Sequence, residues 1–186
     1  MNLLVDKLPT EYKGLKVDTN FRSFILFELL MQDNEIEKED KIALALNIFY
    51  KEPIKDLKTA IDGILWFYSM GASENKKTRG KGTKDHSKVG YSYEYDSKYI
   101  YSAFLDQYGV DLNEVDNLHW FKFKAMFEGL KSENKICEIM GYRAIDLNKI
   151  KDKEERKRYK KLKQEWALPD NRTEEQKEND FAEAFW

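Results

Sequence analysis

The chain has 186 residues, a formal net charge of −2, and 41% hydrophobic, 14% aromatic and 35% charged residues, enough apolar material for the core of one ordinary domain or a domain with appendages. Its single cysteine, Cys137, excludes an intrachain disulfide and points to a reducing compartment. The opening LLVDKLPTEYKG has neither the basic nor the apolar part of a signal peptide, and the most apolar windows, 24–31 and 61–70, fall short of the ~20 apolar residues of a spanning helix, so the expectation is a soluble protein that is not exported by that route.

Residues 3–17 contain the turn signal Tyr12-Lys13-Gly14-Leu15, which predicts a small hairpin or an extended arm. Asp18 and Thr19 offer capping side chains for a helix starting near Asn20. Phe21, Phe24, Ile25, Leu26, Phe27, Leu29, Leu30 and Met31 make that helix apolar nearly all round, the pattern of a helix buried on more than one side. A second helix is predicted over 37–50, with Ile42, Ala45, Leu46 and Phe49 on one face. Pro53 suits the first turn of a third, in which Ile54, Leu57, Ile61, Ile64, Leu65 and Tyr68 recur at spacings of three and four before Gly71 ends it.

Residues 73–88, SENKKTRGKGTKDHSK, contain no Leu, Ile, Val or aromatic side chain to offset ordering entropy, so the stretch 73–90 is expected to be a mobile basic loop. It separates a front half, 1–72, from a back half, 91–169, and the two are expected to form one domain. Tyr91, Tyr93 and Tyr95 alternate with period two, the mark of a short strand or extended lead-in. A helix follows over 96–108, stopped by Gly109, and another begins near Asp116 or Asn117 and carries Trp120, Phe121, Phe123, Met126, Phe127 and Leu130. Ser132 caps a short helix ending near Gly141, and 151–166 reads as a basic helix with Tyr159, Leu162 and Trp166 on a narrow stripe, terminated by Pro169. Thr173-Glu174-Glu175-Gln176 matches a capping box for a last acidic helix within 170–186, tipped by Phe181, Phe185 and Trp186. The fold class is therefore mainly α, about seven helices with a minor N-terminal hairpin or arm.

Reactive side chains are scarce. His86 lies in the basic loop, and His119 opens an aromatic helix, where a partly buried histidine with a backbone partner is the ordinary reading. Cys137 stands among Ile136, Ile139 and Met140 as a small core residue. Three Cys/His residues in total cannot assemble a zinc site. Residues 111–116, DLNEVD, have Asp116 where a calcium loop needs its turning glycine, so capping of the next helix is the better account of those acids. The glycines in 79–84, RGKGTK, lack phosphate-loop spacing and a preceding strand. No catalytic residue, metal ligand or cofactor is expected, and the chain is read as non-enzymatic.

Charge is distributed unevenly. Residues 73–88 carry net +4, 151–163 net +5 and 170–186 net −4. The basic helix could contact phosphates, with the tyrosines near 91–101 stacking bases, but a solvated helix laced by pairs such as Glu154–Arg158 is the simpler reading. The aromatic residues of the acidic tail either anchor in a partner's groove or fold back on their own domain. The leucine-rich front-half helices raise the question of an exposed apolar groove.

Several stretches follow one another in a distinctive order: Tyr101-Ser-Ala-Phe104-Leu105, Gln107-Tyr108-Gly109-Val110-Asp111-Leu112, Leu118-His119-Trp120-Phe121-Lys122-Phe123, Leu130, Met140-Gly141-Tyr142-Arg143, Lys161-Leu162-Lys163 and Trp166-Ala167-Leu168-Pro169. Together with Asp18-Thr19-Asn20-Phe21-Arg22 and the helix after Pro53, they make the chain similar, over roughly 1–170, to the gene-product-fifteen family of tailed bacteriophages infecting Gram-positive bacteria. The resemblance implies a tail-region protein encoded beside the tape-measure protein and working like a tail assembly chaperone. Its partners would then be the tape-measure protein and a second chaperone subunit, with the host cytoplasm as its location. It carries over no catalytic residue. Trp120, Phe123, Phe127, Tyr142, Arg143 and Trp166 are singled out as structural or interface positions, and Phe181, Phe185 and Trp186 as candidate anchors. The rival readings are a structural subunit of the finished tail and a nucleic-acid binder using 151–163.

Overall fold

Lys13 and Gly14 both have positive φ, 48° and 82°, as a two-residue hairpin turn requires. The turn joins β1 (Glu11–Tyr12) to β2 (Leu15–Lys16) in an antiparallel pair, with Glu11 opposite Lys16 and Tyr12 opposite Leu15. This is the expected hairpin, and it is the one sheet among the described residues. The computed structural model describes residues 2–71 and 90–169. The basic stretch 73–88 and the tail with its capping box, Phe181, Phe185 and Trp186 lie outside them.

Mainly helical architecture follows. Among the described residues there are seven α-helices: α1 (Phe21–Gln32), α2 (Lys38–Phe49), α3 (Leu57–Tyr68), α4 (Ser97–Tyr108), α5 (Trp120–Glu128), α6 (Lys135–Ala144) and α7 (Lys153–Glu165). Gly109 ends α4 at φ 63°, the left-handed conformation a helix stop favours.

Several boundaries differ from the expected ones, each for a local reason. Asn20, rather than Asp18 or Thr19, caps α1 through its side chain, which accepts the Arg22 N–H at 3.0 Å. Pro53 precedes α3 instead of entering it, because Asp56 accepts the Lys58 N–H at 3.1 Å and the Thr59 hydroxyl at 2.6 Å and starts the helix there. The helix expected from Asp116 or Asn117 starts only at Trp120. Residues ahead of it are held extended by two backbone bonds, Phe21 N–H to Leu118 O at 2.9 Å and Trp120 N–H to Thr19 O at 2.7 Å. Ser132 does not cap α6, which begins at Lys135 and passes through Gly141, carrying Arg143 to its buried partner. Of the period-two tyrosines, Tyr93 and Tyr95 lie in a turn at 93–95 and Tyr91 precedes it in irregular backbone, so no strand forms there.

The first compact unit runs to Ala144. Its core draws on both sides of the 73–88 stretch: Phe24 stacks on Trp120 with centroids 4.9 Å apart, and Phe123 lies between Phe21 at 4.9 Å and Phe104 at 5.0 Å. Phe49, Phe67, Phe121, Phe127 and Ile136 complete it. Gly63 lets α3 approach the hairpin: a Cβ there would sit 2.8 Å from the Tyr50 hydroxyl and 3.3 Å from the Tyr12 Cβ. The second unit begins at Ile145. In it Asp152 caps α7 by accepting the Glu155 N–H at 2.6 Å, and Lys163 Nζ donates to the Ile145 carbonyl at 2.8 Å.

Candidate functional site

The aromatic candidates separate cleanly once their surroundings are known. Trp120, Phe123 and Phe127 are buried in the core, with Phe123 wholly inaccessible to solvent, so they are structural and unavailable to a partner. Tyr142 is half-buried, and Trp166 is half-buried at the C-cap of α7. Arg143 is also structural. Its guanidinium donates to both carboxylate oxygens of Asp96, Nη2 to Oδ1 at 2.9 Å, and to the Gly90 carbonyl at 3.1 Å. Asp96, 2% exposed, also accepts the Ser92 N–H at 2.8 Å. This two-pronged pair ties α6 to the turn that launches α4.

The residues with chemical potential are occupied. The Pro9 carbonyl can only accept, so His119 Nε2 carries the proton it donates there at 2.8 Å, and Nδ1 accepts the Phe121 N–H at 3.0 Å as the N-cap of α5. Neither nitrogen is free to shuttle a proton without releasing the cap. The Cys137 thiol donates to the Leu130 carbonyl at 3.8 Å, and burial raises its pKa, which disfavours the reactive thiolate. Among the described residues no group of three or more His, Cys, Asp or Glu is placed to hold a metal ion. The Asp111 carboxylate forms a local turn, accepting the Asn113 N–H at 2.8 Å and the Tyr101 hydroxyl at 2.9 Å, so it caps no helix. The carbonyls of Leu112, Asn113 and Val115 accept from the guanidinium of Arg22 at 2.7–3.1 Å, so these oxygens are engaged by a side-chain cation instead of lining a metal-ion loop.

Two buried groups give stability opposing dependences on pH. Burial lowers the His119 pKa below the usual value near 6.5. The unfolded chain therefore binds this proton first on acidification, and the cap's contribution, complete above pH 6.5, is lost as pH falls through the folded value. Burial raises the Glu28 pKa, despite the Tyr68 hydroxyl donating to it at 3.0 Å, so that group costs stability as pH rises above about 4.5. Subtracting a non-titrating cap isolates the histidine. H119N retains an acceptor for the Phe121 N–H, and the wild-type-minus-variant stability from urea titrations should fall below pH 6.5 with a slope of at most about 1.4 kcal/mol per pH unit. A flat difference between pH 5 and 8 would refute this role.

What remains accessible is apolar surface. Leu26, Leu29 and Leu30 of α1 and Leu44 and Ile48 of α2, with Asp33 and Asn47, line an open groove of about 440 Å³. Leu26 is 54% exposed and Leu44 42%. As expected, helix α1 is buried on more than one side: Phe21, Ser23, Phe24, Phe27, Glu28 and Leu30 are buried and Ile25 and Leu29 pack against the core, which leaves Leu26 and Met31 as its exposed apolar residues. Helix α2 buries just Ala45 and Phe49 and leaves Ile42 exposed as well. Clustered exposed leucines of this kind mark interaction surfaces more often than scattered ones. The signal in the sequence was the surplus of leucine beyond the phenylalanine face of α1.

No helix among the described residues is long and apolar enough to cross a membrane. No curated protein and no solved structure matches the chain. The family model described as Bacteriophage Gp15 protein matches residues 4–168, a span that takes in the groove, the Asp96–Arg143 pair and the whole of α7. A match over that much of the sequence leaves little outside it, and the chain belongs to the bacteriophage Gp15 protein family.

Proposed function

We propose that this phage protein is a non-enzymatic tail assembly chaperone that engages the tape-measure protein through the α1–α2 groove. A long helical partner carrying apolar stripes aggregates unless those stripes are covered, and a groove floored by leucines covers them without chemistry. The observation carrying this reading is the exposed Leu26–Leu44 surface on a unit whose phenylalanines are committed to its core. The engagement of His119 and Cys137 in structural bonds is consistent with it.

Coexpression tests it. The wild-type chain should raise the soluble yield of the tape-measure protein and copurify with it. L26S/L44S should abolish both while leaving its own stability within about 1 kcal/mol, since both residues are already about half exposed. Retained copurification by that variant would remove the groove from the account. Mass spectrometry of purified virions tests the role itself: a chaperone is absent, whereas a tail subunit is present in fixed copy number.

A further inference from the structure

Helix α7 presents a face of unopposed positive charge. At about 3.6 residues per turn, Lys153, Arg156, Lys157, Lys160 and Lys161 fall on one arc of roughly 140° that contains no acid. All five are exposed. Glu154 and Glu165 border this arc beyond Lys161, with Arg158 and then Glu155 farther round. The pairing expected of Glu154 and Arg158 does not form: the guanidinium lies over the Tyr159 ring at 6.0 Å, and no ion pair among the described residues involves a side chain of α7. Five adjacent cations repel one another, and a polyanion would relieve the repulsion.

The chain carries a complementary segment nearby. Residues 170–186 hold Asp170, Glu174, Glu175, Glu178, Asp180 and Glu183 against Arg172 and Lys177. Only residues 166–169 separate them from α7. So short a connection gives an effective concentration in the ~mM range, which favours this occupant over any solute at micromolar level. Seventeen residues cover the roughly 20 Å length of α7 in either helical or extended form. The aliphatic stems of the same lysines also offer apolar surface to Phe181 and Phe185.

We propose that the cationic face of α7 is the seat of the chain's own acidic segment 170–186, an intramolecular clasp that hides the helix from other polyanions. The inference is independent of the groove and of the tape-measure reading. Zero-length carbodiimide coupling of the full chain, digested and read by mass spectrometry, tests it. Amide links should join Lys153, Lys157, Lys160 or Lys161 to Glu174, Glu175 or Glu178, and should exceed links from the equally exposed Lys151. In an equal mixture of isotopically light and heavy protein, no mixed links should appear. At about 0.5 M NaCl, where screening acts within roughly 4 Å, yields should fall about tenfold. E174K/E175K/E178K should lose the links, and adding K153E/K157E/K161E should restore them with reversed polarity. Absent links, mixed-isotope links, yields equal to those of Lys151, or failure of the reversed pair to restore them would each overturn the clasp.

Discussion

R143A should destabilise the unit ending at Ala144 by about 3–5 kcal/mol, because it strands a buried carboxylate. Asp96 is 2% exposed and keeps only the Ser92 N–H once the guanidinium is gone. The Gly90 carbonyl loses its donor in the same step. R143K should recover only part of the loss, since an ammonium cannot address both carboxylate oxygens in the plane that Arg143 uses. A doubly apolar replacement, D96L/R143M, should be less damaging than R143A, since it removes the stranded charge along with its partner. Urea unfolding followed by circular dichroism measures all three. R143A within 1 kcal/mol of wild type, on the order of an exposed pair, would show that the bridge is solvated in solution.

F123A should cost about 3–5 kcal/mol through lost contact and residual cavity. The ring is wholly buried and meets Phe21, Phe104 and Trp120, with centroids between 4.9 and 5.7 Å, so no neighbour can collapse into the space without leaving its own stack. Any loss of partner binding in F123A should track its unfolding and recover at lower temperature, whereas the defect of L26S/L44S should persist in a fully folded protein. That contrast separates core from interface by experiment. If F123A bound normally at full stability, the packing described here would be wrong.

The parts of this fold legible in the sequence are those governed by one chemical signal at a time. The three-and-four spacing of Leu57, Ile61, Ile64 and Tyr68 reports a helix, and Lys13-Gly14 reports a tight turn. Where two signals compete, tertiary contacts decide. An imidazole is an uncommon cap, and His119 serves as one only because Pro9 fixes its tautomer from 110 positions away. The period-two tyrosines look like a strand or an extended lead-in, but Tyr91 and Tyr93 pack on Phe127 and Phe123 from a turn and the residues just before it. The acids of 111–116 read as caps, whereas the loop's carbonyls are gathered by Arg22. The conspicuous aromatics Trp120, Phe123 and Phe127 drew attention as contact candidates, while the plainer Leu26 and Leu44 reach solvent. Large rings are too valuable to the core to be spared, and single leucines carry no mark of which side they face.

The bonds joining the starts of α1 and α5 have a consequence for how the protein is made. Arg22 and Asn20 find their backbone partners 90 to 96 residues later, and the Phe21 amide waits for Leu118. During translation Phe49 and Tyr68 can reach Phe27 and one side of Phe24 early, but Phe21 and the Trp120-facing side of Phe24 stay uncovered until α5 has cleared the ribosome. Such long-range closure slows folding and prolongs the sticky interval. Nascent chains arrested before residue 118 should thus be protease-sensitive throughout, with no stable front-half intermediate.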